Sequence, residues 1–322
     1  MDFDLTDVQA AWKAKGSALG KDLPIDAAAG DVVMGAARVG LLDPNVDLLA
    51  LAVAVEALAF ESPSSAIAFA LHASAALSLA HEERYSTLLR GEAVGSLALS
   101  SDEVPDAKGD RLFGRAAWVA PITERGIALV GARVSGGDAA AFAVAFDAAG
   151  VVVEPLRTAA LRGFVCGHVT FSNTPAVEAG ATLPIMTRVR VLVASAGLGI
   201  GRRALREALN SAKRAHSAAA WEETVQGLLA DAATDLDAAM MLTWKAALGD
   251  GPSLADASMA KLAAGAAAQH AVERATQVIG ADSFQRGHIV ERLAQDVRAL
   301  ELFAGRTEAL RAAAAAEVLR TG

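Results

Sequence analysis

Apolar residues recur at helical spacing from Asp4 to about Glu92. Thr6 and Gln9 stand at capping-box spacing, in which the threonine side chain accepts a first-turn amide and the glutamine reaches back. Val8, Ala11 and Trp12 line one face of the helix they open. Leu48, Leu49, Ala52, Val55 and Ala59 mark another. From Ser64 to about His81 the pattern is apolar nearly all round, which predicts a buried helix. His72 lies inside that run. No second histidine or carboxylate stands at metal-binding spacing to it, so it reads as a hydrogen-bonded core residue.

From Gly95 to about Phe171 the period changes. Short runs rich in Val, Leu and Phe (SLALS, RLFGRAAWV, IALVGARV, AAFAVAF, GVVVEPL, GHVTF) alternate with turn residues. Gly109-Asp110, Gly136-Gly137-Asp138 and Ala149-Gly150 punctuate them, which predicts about six or seven strands in a small barrel or sandwich. No strand, GxGxxG and helix occur in order, which argues against a Rossmann unit.

After Pro184 helical spacing returns. One long helix is predicted over Arg190 to about His216, with Val191, Ala194, Leu198, Leu205 and Leu209 apolar. Gly197, Gly199 and Gly201 inside it would each cost about 1 kcal/mol relative to alanine, so a close approach by a neighbouring backbone or a ligand is expected there. Further helices are predicted over Val225 to Ala247, Ser253 to about Gly280, and Ile289 to Arg320, the last as one or two pieces, together making an antiparallel four-helix bundle. The fold class is α+β: a helical N-terminal domain (1–93), a middle β domain (94–183) and a helical bundle (184–322).

Composition narrows the function classes. Hydrophobic residues make up 53% and aromatics 5%, so the core is built of Ala, Leu and Val. A net charge of −8 argues against a nucleic-acid backbone as partner. Cys166 is the only cysteine, which excludes an intrachain disulfide; with no base in sight it reads as a small core residue rather than a nucleophile. His81, His168, His216, His270 and His288 share no metal-binding spacing, and Asp235 and Asp237 read as surface charges. The acidic start MDFDLTDVQ lacks the layout of a signal peptide, and the longest apolar run, Ala66 to Ala80, is short for a membrane span. The expectation is a cytoplasmic protein.

The stretch Val290 to Arg311, VERLAQDVRALELFAGRTEALR, resembles the segment of acyl-CoA dehydrogenases written ERLYRDxRxxxIYEGTxEIxR. Glu291, Arg292, Leu293, Asp296, Gly305 and Glu308 to Arg311 match it. The resemblance continues along the chain. LTDVQ is similar to LTEEQ, SLALSSDE to FALTEP, GRAAWVA to GxKxWIT, and LRGF with VTFSNTPAV to RGSxxxxVxFDDVxVP. RVLVASAGLGIGRRALREAL, VQGLLADAATDLDAA and QVIGADSF complete the series, in the family's order. The resemblance implies FAD between the β domain and the bundle, an acyl-CoA substrate and a tetramer formed by the bundle. Leu99, Ser100, Trp118 and Val119 would border the flavin, and Gln277 and Gly280 would approach a neighbouring subunit's cofactor.

The departures fall on functional positions. The family's catalytic base is the glutamate of EGT, eight residues after the aspartate; here that residue is Ala304. Some members carry the base on the long helix instead, where this chain has Val189. Ala120 replaces the WIT threonine, Arg306 the EGT threonine, Gln295 the RD arginine and Ala281 the second glycine of GG; RxxFG is reduced to KRAHSAAAWE. The N-terminal helical part is shorter than the family's by a few tens of residues. The expected function is therefore a subunit of a heteromeric acyl-CoA dehydrogenase, in fatty acid or steroid side-chain degradation, whose partner supplies the base. Two alternatives stand beside it. One is a homomeric FAD enzyme with another base, from Glu301, Glu308, Asp102 or Glu103; the other is an acyl-CoA-binding scaffold without redox chemistry.

Overall fold

The computed structural model describes residues 4–99, 103–135, 139–214, 219–249 and 251–321, with side chains undescribed at 219–221 and 321. Five helices lead the chain: α1 (Asp7–Asp22), α2 (Ala29–Arg38), α3 (Leu48–Glu61), α4 (Pro63–Ser78) and the single turn α5 (Ser86–Leu89). The capping box is present: Gln9 N–H donates to Thr6 Oγ1 at 3.3 Å and Thr6 N–H to Gln9 Oε1 at 3.0 Å. Helix α4 starts with Ser62 as cap and Pro63 in the first turn, where the missing N–H costs nothing. It is buried on all sides because α2, α3, α6 (below) and the sheet each cover a face. His72 sits fully buried within it; its Nδ1 accepts Gly95 N–H at 2.8 Å, fixing the proton on Nε2. Burial pushes its pKa down to about 3, so the ring is neutral.

Eight strands follow among the described residues: β1 (Val94–Ala98), β2 (Asp106–Lys108), β3 (Arg111–Ile122), β4 (Gly126–Arg133), β5 (Ala139–Ala145), β6 (Val151–Leu156), β7 (Val165–Pro175) and β8 (Val177–Ala181). They form one sheet in the order β6-β7-β3-β1-β4-β5-β8, with β2 bridging β3 and β4. The six apolar runs of the sequence fall on β1, β3, β4, β5, β6 and β7 and leave out two strands. β2 has three residues, too few for an alternation to register, and β8, VEAGA, carries no bulky residue after its first valine. The sheet encloses its own apolar cluster around Leu112, Val119, Val130, Phe142 and Phe171. A larger cluster runs continuously through the helices.

The C-terminal helices are α6 (Thr182–Arg214), α7 (Ala219–Ala247), α8 (Leu254–Ile279), α9 (Ile289–Ala299) and α10 (Thr307–Thr321). Helix α6 starts eight residues earlier than the periodicity predicts, because Leu183 and Pro184 fill a first helical turn. By length and composition α6 could cross a membrane, yet 83% of its most apolar window is buried inside the protein. Its glycines serve neighbouring backbone. A Cβ at Gly199 would meet the Glu56 carbonyl of α3 at 2.3 Å, and one at Gly201 would press Leu236 of α7 at 2.5 Å. Next to this contact Arg202 of α6 donates to buried Glu56 at 2.8 Å and to Asp237 at 3.1 Å. Burial raises the Glu56 pKa and the Arg202 charge pulls it back. Asp237 and Asp235 are therefore ion-paired: Asp235 accepts from Arg274 at 2.7 Å, which holds its carboxyl below the usual range.

Candidate active site

The stretch Val290 to Arg311 divides into helix α9, a turn over 300–306 and the start of α10. Arg292 and Asp296 lie one turn apart in α9 and join three parts of the molecule. Arg292 makes a two-pronged ion pair with Asp26 of the α1–α2 loop. Asp296, 1% exposed, accepts the Leu161 N–H of the β6–β7 loop at 2.6 Å and lies 3.6 Å from Arg292 Nε. Arg162 of the same loop donates to Gln295 at 2.6 Å. The Arg292 guanidinium holds Asp26 below the usual carboxylate range, whereas burial pushes Asp296 up, against the pull of the Leu161 amide and Arg292. The best-matched residues of the family segment are thus an architectural clasp.

The turn that follows is held from beneath by side chains that periodicity does not single out. Arg190 Nε donates to the Ala304 carbonyl at 3.0 Å and its Nη1 to Ser258 Oγ at 3.0 Å. Lys261 Nζ donates to the Gly305 carbonyl at 2.6 Å and to Glu301 O at 3.4 Å. Arg190 is 7% exposed, Lys261 5% and Ser258 fully buried. Neither cation has a carboxylate within ion-pair distance among the described residues. Burial, with the adjoining Arg190 charge, pushes Lys261 down to about 7; burial also lowers Arg190. One signal was available in the sequence: a lone arginine and a lone lysine on the apolar stripes of two long helices.

Ala304 itself takes φ +58°, a left-handed conformation that an L-residue enters at a cost of about 1 kcal/mol or more. Backbone held in such a conformation by three hydrogen bonds from two buried cations is pre-organised. The turn thus fixes the place of residue 304 and offers a methyl group there. Val189, the other base position, is 2% exposed and packed in the core. Glu301 and Glu308 are exposed helix-end charges, and Glu103 pairs with Arg115 at 3.3 Å. Asp102 lies outside the described residues.

The predicted flavin-side residues fall as follows. Leu99 closes the β1 segment, half-buried, and Ser100 lies outside the described residues. At Trp118 a bulge in β3 turns the backbone to φ +55° and leaves the residue 53% exposed, its ring centroid 6.0 Å from that of His168 in a T-shaped arrangement. Val119 points the other way, fully buried in the sheet cluster, so only its backbone is available to a ligand. Ala120 is buried too. Gln277 is exposed in the last turn of α8 and Gly280 is its C-cap at φ +73°, with open space where a Cβ would stand. Cys166 is 4% exposed and burial pushes its thiol up to about 11, which makes it inert. Among the described residues no group of three or more His, Cys, Asp or Glu is placed to hold a metal.

Three comparisons extend this picture. Residues 181–319 match the acyl-CoA dehydrogenase C-terminal domain. The chain is 31% identical over 191 residues to 3-sulfinopropanoyl-CoA desulfinase of Paraburkholderia xenovorans, covering 54% of this chain and 49% of that protein. The chain spans about half the length of that curated relative. In fold it is similar to glutaryl-coenzyme A dehydrogenase in its glutaryl-CoA complex (TM-score 0.90, 17% identity, 100% of this chain and 98% of that one). It is similar also to a steroid ACAD designated Tcur3481-Tcur3483 (TM-score 0.83, 20% identity, 97% and 98%).

Proposed function

We propose that the chain is a base-less subunit of a heteromeric acyl-CoA dehydrogenase, a reading supported by the match of residues 181–319 to the acyl-CoA dehydrogenase C-terminal domain and by the fold shared with glutaryl-coenzyme A dehydrogenase. Its partner supplies the catalytic carboxylate, and the pair desaturates an acyl-CoA thioester between its α and β carbons. One observation carries the reading: the turn that presents residue 304 is intact and held by Arg190 and Lys261, while the residue presented is an alanine. Random decay would be expected to loosen the turn along with the chemistry. Abstraction of the α proton needs a carboxylate held close to that carbon in a dry site, and neither Ala304 nor Val189 provides one.

FAD, when bound, accepts the hydride from the β carbon. The exposed indole of Trp118 fits a planar ring laid against the sheet, and Leu99 and the Val119 backbone would complete that wall. Gln277 and Gly280, at the C-terminal end of α8, would approach the cofactor of a neighbouring subunit, as the family resemblance implies. The steroid ACAD designated by two joined names gives a precedent for an assembly of this fold. The desulfinase relative, by its name, acts on a CoA thioester by a reaction other than desaturation, which supports another reaction of an acyl-CoA as the second reading.

The test is co-expression with a full-length family member encoded beside it. A yellow complex that oxidises an acyl-CoA is expected, with the chain alone inactive and Ala304→Glu alone still inactive. A homomer that carries flavin bleached by an acyl-CoA, or robust dehydrogenase activity from Ala304→Glu by itself, overturns the proposal.

A further inference from the structure

A second cavity lies away from the site described above. It measures about 920 Å³, the size of a small-ligand pocket, between the start of α6, the start of α3 and residues 247–249 and 251–254. Leu48, Leu51, Leu77, Leu183, Leu248 and Leu254 form its walls, the last three 51%, 59% and 38% exposed at its rim. Gln9, Asp47, Thr187 and Ser253 share the lining with these leucines, and one cation, Arg188, joins them. Its Nη1 donates to Ser78 Oγ at 3.0 Å, and among the described residues no carboxylate stands within ion-pair distance of its guanidinium. Asp47 lines the same cavity, but its Oδ1 is engaged as the α3 cap, accepting Ala50 N–H at 2.8 Å. A partly buried guanidinium with a single neutral partner is costly unless an anion joins it, and burial lowers the Arg188 pKa accordingly. Arg188 and Arg190 are two residues apart on α6, about 200° round the helix, so the cavity lies on the opposite side of α6 from the Ala304 turn.

We infer that this cavity binds a small amphipathic monoanion, a carboxylate on an apolar body, with Arg188 taking the carboxylate and the six leucines the body. This inference is independent of the heteromeric reading. A guanidinium can meet a carboxylate with two parallel N–H bonds, whereas a neutral alcohol gains only the apolar contact. Free carboxylates and acyl thioesters share the apolar body, and the thioester lacks the carboxylate that Arg188 would hold.

The test is calorimetric titration of the full chain with decanoate, with 1-decanol, acetate and decanoyl-CoA as comparators. Saturable decanoate binding is expected, with acetate unbound and decanol weaker by tenfold or more. Arg188→Met should weaken decanoate by tenfold or more while leaving decanol and the thermal melting curve nearly unchanged. Leu254→Trp, at the rim, should fill the cavity and weaken both ligands. The inference is overturned if decanoate does not saturate, or binds Arg188→Met as tightly as the natural chain. It is overturned equally if decanoyl-CoA displaces decanoate at equal concentration, or if sedimentation shows the leucine rim buried by self-association. The outcome of flavin and partner binding, read from the visible spectrum of the complex, is separate: Arg188→Met should leave it intact.

Discussion

The two halves of the Val290 to Arg311 stretch treat buried charge in opposite ways. In α9 the charges are paired: Asp26, Arg292 and Asp296 form a chain of acid, base and acid that ends on a backbone amide. Under the 300–306 turn two cations lie buried together with backbone carbonyls as their main partners, and the Glu301 carboxylate acts on Lys261 only from beyond ion-pair distance. The first arrangement neutralises itself and joins the N-terminal helices, the sheet and the bundle. The second carries positive charge without a direct ion-pair partner beneath the position where a family base would stand. Charge is retained where it locks elements together, and the carboxylate is missing where it would do chemistry.

The comparison can be broken at either end. Asp296→Ala should have the largest effect, about 3–5 kcal/mol in urea unfolding, because it strips a partner from Arg292 and orphans the Leu161 amide. Asp296→Asn, which keeps an acceptor of the same shape, should cost markedly less. Equal losses from the two would show that the charge, rather than the hydrogen bond, closes the clasp.

Lys261 comes next and is read as a pH dependence. Its folded-state pKa, near 7, lies below its ordinary value of 10.5, so between these values the unfolded chain binds the proton that the folded chain rejects. Stability from this group therefore rises as pH increases from 7 to 10, by up to about 1.4 kcal/mol per pH unit, and its full penalty is present below pH 7. The difference in unfolding free energy between the natural chain and Lys261→Met should show that slope. A flat difference would mean that the cation has a counter-charge after all.

Arg190→Met removes the donors to Ala304 and Ser258 and should cost about 2 kcal/mol. Amide exchange should accelerate at 303–306 and stay unchanged in α9, which separates the turn from the clasp. The smallest effect belongs to Glu301→Gln and Glu308→Gln, each within about 0.5 kcal/mol and without effect on the turnover of a partnered complex. Loss of turnover from either would make it the base.

The candidate site was legible in the sequence wherever a residue acts through its identity. Ala304 and Val189 could be located by counting along matched segments, and their lack of a carboxylate follows from the letters alone. What Arg190, Ser258 and Lys261 do could not be read that way. They come from two helices that meet the turn only after the bundle packs, and a lone cation on an apolar stripe resembles a surface residue until its neighbours are placed. Trp118 and Val119 show the same limit: adjacent in sequence, they are separated by a bulge that sends one outward and the other into the core.

By itself the sequence determined the order of helices, strands and helices, the apolar wrapping of α4, and the need for close approach at Gly199 and Gly201. Each follows from local periodicity or from the size of a side chain. Tertiary structure decided that β2 and β8 are strands, since such short segments gain their hydrogen bonds only from partners already in place. It decided also that Arg292 and Asp296 are a clasp and that an empty-handed turn is held firm by buried cations. Those outcomes depend on which distant groups share a low-dielectric interior, and distance through space is not written in distance along the chain.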